Sequence, residues 1–220
     1  MATGAAPSMR VPFILLTLAN LAVLGMRLWP WQEVMSLPGN GTTALDPAVT
    51  LLGYMGFVTW MKGNSADPSQ KALSAGTLVG LAAGFILVAE VMLEARLAQI
   101  SPLLQIGLLA VAAILCGIGG LRGGKAAGNA GFGMLAGTWS AMLSCLMACS
   151  AILAQMYMAA APQPTTQDPW KDYQGLAIGN PAMQALVHSL NTATGFLLIG
   201  PLVGAVMGLV FAFFGQTQKG

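Results

Sequence analysis

Residues 67–93 read DPSQKALSAGTLVGLAAGFILVAEVML, and this stretch decides the class of fold. It opens on Asp67-Pro68, an N-cap side chain followed by proline at the first helical position, with Gln70 at the spacing of a capping box. No charge interrupts it between Lys71 and Glu90, which is long enough for a helix to cross the ~30 Å hydrocarbon core of a bilayer. Ala72, Gly76, Gly80 and Gly84 recur at every fourth position and so lie along one helix face. In lipid, helices associate by close packing rather than by exclusion of water, so a seam of small residues marks a contact face.

The rest of the chain repeats this pattern. Of 220 residues, 56% are hydrophobic and 7% are charged, whereas a soluble domain carries ~25% charged residues. So few charges cannot coat a water-soluble globule. The net charge of +2 is spread without a basic run, which argues against a nucleic-acid partner. The composition predicts an all-α polytopic integral membrane protein whose primary partner is the lipid bilayer.

Asp46-Pro47, Ser101-Pro102 and Asn180-Pro181 read as further helix starts, and Asp168-Pro169 opens a short polar-aromatic stretch. Six spans are expected, at about 12–29, 47–61, 68–97, 102–121, 132–160 and 181–214, in a single membrane domain over 1–220 with an outer loop at 161–180. The first span follows Arg10 without a clean small-residue cleavage site, so an uncleaved helix is favoured over a signal peptide. The second is short for a bilayer, and a re-entrant segment is its competitor. Six full spans with both termini inside place Arg10, Lys62, Lys71, Arg122, Lys125 and Lys219 in the cytoplasm, as the positive-inside rule requires. The Arg122-Gly123-Gly124-Lys125 segment then reads as a basic cytoplasmic turn. Trp170 and Tyr173 in the outer loop would form an interfacial aromatic cap.

Two further seams accompany the first. Gly133, Gly137, Ala141, Cys145 and Cys149 mark span five, and Gly200, Gly204, Gly208 and Ala212 mark span six. Spans three, five and six are therefore expected to form the packed centre, with a kink at Gly200-Pro201. The i, i+4 pair Cys145 and Cys149 continues a packing seam and is read as packing, with no metal site. Ala75-Gly76-Thr77 and Ala136-Gly137-Thr138 hint at an internal repeat.

The sharpest polar grouping is Glu90 and Glu94 near the outer end of span three, with His188, Asn191 and Thr192 near the outer start of span six. Ionisable groups at membrane depth suggest a ligand or proton site. Weighed against that is a solvated helix end. His188 is the only histidine, and no cofactor motif appears. No nucleophile–base or metal constellation is visible either, so catalysis is not expected. Two functions remain: an accessory or scaffolding subunit, bound to another membrane protein or to further copies of itself, or a small transporter or channel component with the outer polar group as vestibule. A compact Ala/Gly-rich chain suggests a bacterial inner membrane.

Overall fold

The structure is a computed structural model that describes residues 10–29, 40–61, 68–96, 101–158 and 181–217. These residues form six helices: α1 (Arg10–Leu28), α2 (Asn40–Trp60), α3 (Pro68–Arg96), α4 (Pro102–Ala127), α5 (Ala130–Met158) and α6 (Pro181–Thr217). Four contain a stretch long and apolar enough to cross a membrane: Pro68–Glu94, Pro102–Ala127, Ala130–Gln155 and His188–Gly215. Leu15, Phe85, Leu103, Leu202 and Phe214 point outward, while Thr17, Asn20, Ser140 and Ser144 are buried. A surface this apolar around polar interior groups suits hydrocarbon rather than water. The chain is an all-α polytopic membrane protein.

Helix α5 is the axis of the fold. Its apolar stretch is 78% buried, against 44% or less in α3, α4 and α6, and it packs on α1, α3, α4 and α6. Helices α3 to α6 form an inner bundle, with α1 added against α5 and α2 against α1 and α6. Helices α1, α3 and α5 run parallel: Phe13 stacks on Trp139 and Asn20 reaches Leu146, while Gly76 meets Ala136 and Gly84 meets Met147. Helices α4 and α6 run the opposite way, with Gly119 against Ser140 and Gly123 against Ala136, and with Gly200 against Cys145 and Gly208 against Gly133.

The small-residue seams of α5 and α6 pack directly on each other. A Cβ placed on Gly137 would lie 2.7 Å from the Gly208 Cα, and one on Gly208 would lie 2.6 Å from the Gly133 carbonyl oxygen. The α3 seam packs on a different face of α5: a Cβ on Gly80 would lie 2.8 Å from the Ser140 Cα. The two Ala-Gly-Thr tripeptides therefore have different neighbours, since Gly76 faces α5 whereas Gly137 faces α6.

The structure corrects several expectations. Helix α2 begins at Asn40, not at Pro47, and spans 21 residues with Pro47 inside it. Proline forfeits one backbone bond there but keeps helical φ. The expected Asp46 cap is thus mid-helix, and its carbonyl accepts the Thr50 hydroxyl at 2.7 Å. Ser101 does stand at the N-cap of α4, yet its side chain makes no capping bond; its carbonyl takes the Leu104 and Gln105 amides instead.

Helix α4 continues to Ala127, so Arg122–Lys125 is its last turn rather than a loop. Gly123 and Gly124 are buried against Ala136 and Ala212, and their glycine character serves helix contact. The turn itself is Gly128-Asn129. Gly128 adopts φ 74°, and the Asn129 amide bonds back to the Gly124 carbonyl at 3.2 Å, a Schellman stop. The Asn129 side chain then accepts the Gly131 amide at 2.7 Å and caps α5. The expected aromatic cap at Trp170 and Tyr173 and the capping box at Asp67 lie outside the described residues.

Gly137→Val is expected to destabilise the bundle by about 3 kcal/mol, the upper range for overpacking. Gly53→Ala, where a Cβ meets open space, should change stability by less than about 1 kcal/mol. Thermal unfolding of the two variants in one detergent checks both.

Candidate functional site

Helix α4 is held tightly over only half its length. Its buried residues begin at Ala112 and run to Gly124, and the preceding turns expose Leu103, Leu104, Ile106 and Leu109. Gly117, Gly119, Gly120, Gly123 and Gly124 bring its second half onto α5 and α6, where a Cβ on Gly120 would run into the Gly208 backbone. No residue of α4 before Ala112 is buried, and α4 stands open to α5 and α6 over those turns.

The separation leaves a cavity of about 400 Å³, lined by Leu87 of α3, Leu109, Ala112 and Cys116 of α4, Ser144 and Cys145 of α5, and Phe196 and Gly200 of α6. Its mouth lies between α4 and α6, flanked by the exposed Leu109 and Ile199. The volume is within the ~300–1,000 Å³ range of small-molecule sites. The lining is apolar apart from Ser144, Thr192 and two thiols. The Ser144 hydroxyl donates to the Ala141 carbonyl at 2.9 Å and stands beside Cys116 and Cys145.

Outside the cavity lining, a polar contact joins α3 and α4. Glu90 lies one turn beyond Leu87 on α3, and Gln105 lies one turn before Leu109 on α4. The two side chains interact across the helix pair, with Glu94 on the next turn of α3. Glu90 is only 3% exposed, and its Oε2 has no hydrogen-bond partner. A buried carboxylate oxygen without a donor is costly in hydrocarbon. Nearby, the Gln155 amide donates to the Val91 carbonyl at 2.6 Å and ties the same end of α3 to α5.

The expected outer grouping is thus divided. Glu90 finds Gln105 and Glu94 as polar neighbours, whereas His188 and Asn191 occupy exposed positions on α6 and Thr192 lies at the cavity margin. Glu94 is itself exposed. Among the described residues no group of three or more His, Cys, Asp or Glu is arranged to hold a metal. Cys145 and Cys149 are buried as free thiols, and Cys145 abuts Gly200.

The other polar side chains at depth serve helix contacts. The Asn20 amide donates to the Leu146 carbonyl at 3.1 Å, and its oxygen accepts the Ser150 hydroxyl at 2.9 Å. The Trp139 indole donates to the Thr77 hydroxyl at 2.9 Å, and the Ser140 hydroxyl reaches the Gly76 carbonyl at 2.7 Å. The Tyr54 hydroxyl donates to the Leu197 carbonyl at 2.6 Å. That carbonyl sits four residues before Pro201, which has no N–H to offer it. Tyr54 of α2 therefore supplies the donor that the proline removes, and α6 continues through Pro201 as one helix.

Gln105, Gln155 and Tyr54 did not stand out in the sequence. Each is an isolated polar residue in an apolar span, and that isolation was the available signal. No family model, curated protein or solved structure matches the chain.

Tyr54→Phe keeps the ring packing and removes only the donor to Leu197. It should destabilise the fold by about 1–2 kcal/mol, the penalty for an unsatisfied buried carbonyl. Unfolding in detergent should show this loss, with faster amide exchange in α6 near Pro201.

Proposed function

We propose that this chain is a non-catalytic accessory or scaffolding subunit of a membrane complex, crossing a bacterial inner membrane six times with both termini in the cytoplasm. The observation that carries this reading is the glycine-lined contact among α4, α5 and α6. Gly120, Gly133, Gly137 and Gly208 bring three backbones together at the bundle centre, and no room is left there for a solute path. The polar side chains at depth are spent on helix–helix bonds, as at Asn20, Ser140 and Tyr54. Ion and proton pathways draw on such groups.

Six crossings are supported by helix direction. Helices α1, α3 and α5 run parallel and α4 and α6 run against them, the alternation expected of an up-and-down bundle. By length alone, the 21 residues of α2 reach across a bilayer. The cytoplasmic assignment rests on Arg10, Lys71, Arg122 and Lys125 sharing one side.

The cavity and Pro201 favour a second reading, a small transporter in which the cavity admits a solute and α6 bends at its proline. Liposomes reconstituted with the full chain alone should show no solute flux, while mild-detergent extracts of the native membrane should yield a stoichiometric protein partner. Flux from the isolated chain would overturn the accessory reading. For orientation, Asn129→Cys in the α4–α5 turn should react with a membrane-impermeant maleimide only in inside-out vesicles. Labelling of intact cells would reverse the topology.

A further inference from the structure

We propose that a groove between the last turns of α4 and α6 seats an anionic phospholipid, its phosphate on the Lys125 ammonium and an acyl chain against Phe211 and Phe214. The two helices touch where Gly120 meets Gly208 and Gly124 meets Ala212. Beside that contact, Leu121, Lys125, Phe211, Phe214 and Gly215 line a groove of about 220 Å³. Gly215 gives the groove its shape: a Cβ there would collide with Leu121 and lie 3.3 Å from the Lys125 Cε. The missing side chain lets the Lys125 stem cross onto α6, while the residue as a whole stays exposed. The volume falls below the ~300 Å³ floor of small-molecule sites, so the groove suits one segment of a larger molecule.

Position and charge identify that molecule. Along α4, Lys125 stands about 30 Å beyond Gln105 at ~1.5 Å per residue, which is the thickness of a hydrocarbon core. Gln105 and Glu90 therefore mark one margin of the bilayer and Lys125 the other, at headgroup depth. The Phe214 ring is exposed at the same margin. An occupant that matches both walls and lysine joins an apolar chain to an anion. Arg122, exposed one turn before Lys125, adds a second positive charge. The pair favours a head with net negative charge over a zwitterion that carries its own cation. A basic group at this depth attracts anionic lipid, and a lysine stem covers apolar surface while its ammonium stays at the interface. The proposal requires only that α4 and α6 lie in a bilayer. It survives failure of the accessory-subunit reading and a reversal of the topology.

The test uses the full chain reconstituted in vesicles of equal parts glycerol and choline phospholipid, then extracted in mild detergent for native mass spectrometry. The wild-type chain should retain glycerol phospholipid enriched about fivefold over the choline lipid, the preference that one basic group at the membrane surface confers. Lys125→Gln should bring the ratio close to one and Lys125→Arg should keep the enrichment. Both should keep the wild-type thermal midpoint, because the position is exposed. Lys71→Gln removes an equal charge from an exposed position on α3 outside the groove and should leave the preference intact. Glycerol phosphate, a head without chains, should not displace the lipid. Retention in bulk proportions by the wild-type chain would overturn the proposal. So would a preference that persists in Lys125→Gln, one that Lys71→Gln lowers equally, or displacement by glycerol phosphate.

Discussion

The fold depends on the approach of three helix backbones at Gly120, Gly133, Gly137 and Gly208. In hydrocarbon there is no water to expel from between helices, so association relies on van der Waals contact and on bonds between helices. Contact of that kind grows as backbones come closer, and only glycine permits an approach at which a single Cβ would collide with the neighbouring chain. The consequence is an α5 surrounded on nearly every face, with the other helices arranged by which of its faces they can reach. Alanine and cysteine continue the same surface toward α6, as at Ala141 and Cys145.

That contact also explains the open side of the molecule. The buried glycines of α4, Gly117 to Gly124, lie in its second half, so the helix is clamped at that end, whereas no residue before Ala112 is buried. The cavity is the geometric result of this uneven distribution, not of a missing side chain. Outside its lining, where α3 finishes and α4 begins, Glu90 and Gln105 meet. Hydrogen bonds between helices complete the arrangement. The bond from Tyr54 to Leu197 preserves α6 across Pro201, and the Asn20, Trp139 and Ser140 bonds fix α1 and α3 against α5.

Much of this was legible in the residue pattern, and the exceptions have physical causes. The α5 and α6 seams were visible because a spacing of four places small residues on one face, and those faces meet. The α4 glycines were read partly as a turn because Arg122 and Lys125 flank them; charge at a helix end and charge in a loop look alike in one dimension. The start of α2 was misplaced because Asp46-Pro47 resembles a cap, although proline is tolerated inside a helix when the surroundings compensate. The sequence pattern groups Glu90 with Glu94, His188, Asn191 and Thr192, whereas in the fold its polar neighbours are Gln105 and Glu94. The choice between Gln105 and His188 depends on how α4 diverges, which no local spacing encodes.

By itself the sequence determined the class of fold, because composition and uninterrupted apolar length leave hydrocarbon as the only suitable solvent for these helices. It also determined which faces of α3, α5 and α6 pack, because helical periodicity turns the spacing of glycines directly into a surface. Only the tertiary structure decided which seam meets which, that α4 joins the centre by one half, and that one carboxyl oxygen of Glu90 is left buried without a partner. Those outcomes depend on the relative tilt and rotation of whole helices. Such quantities emerge from all contacts at once and leave no trace in the order of residues along a single span.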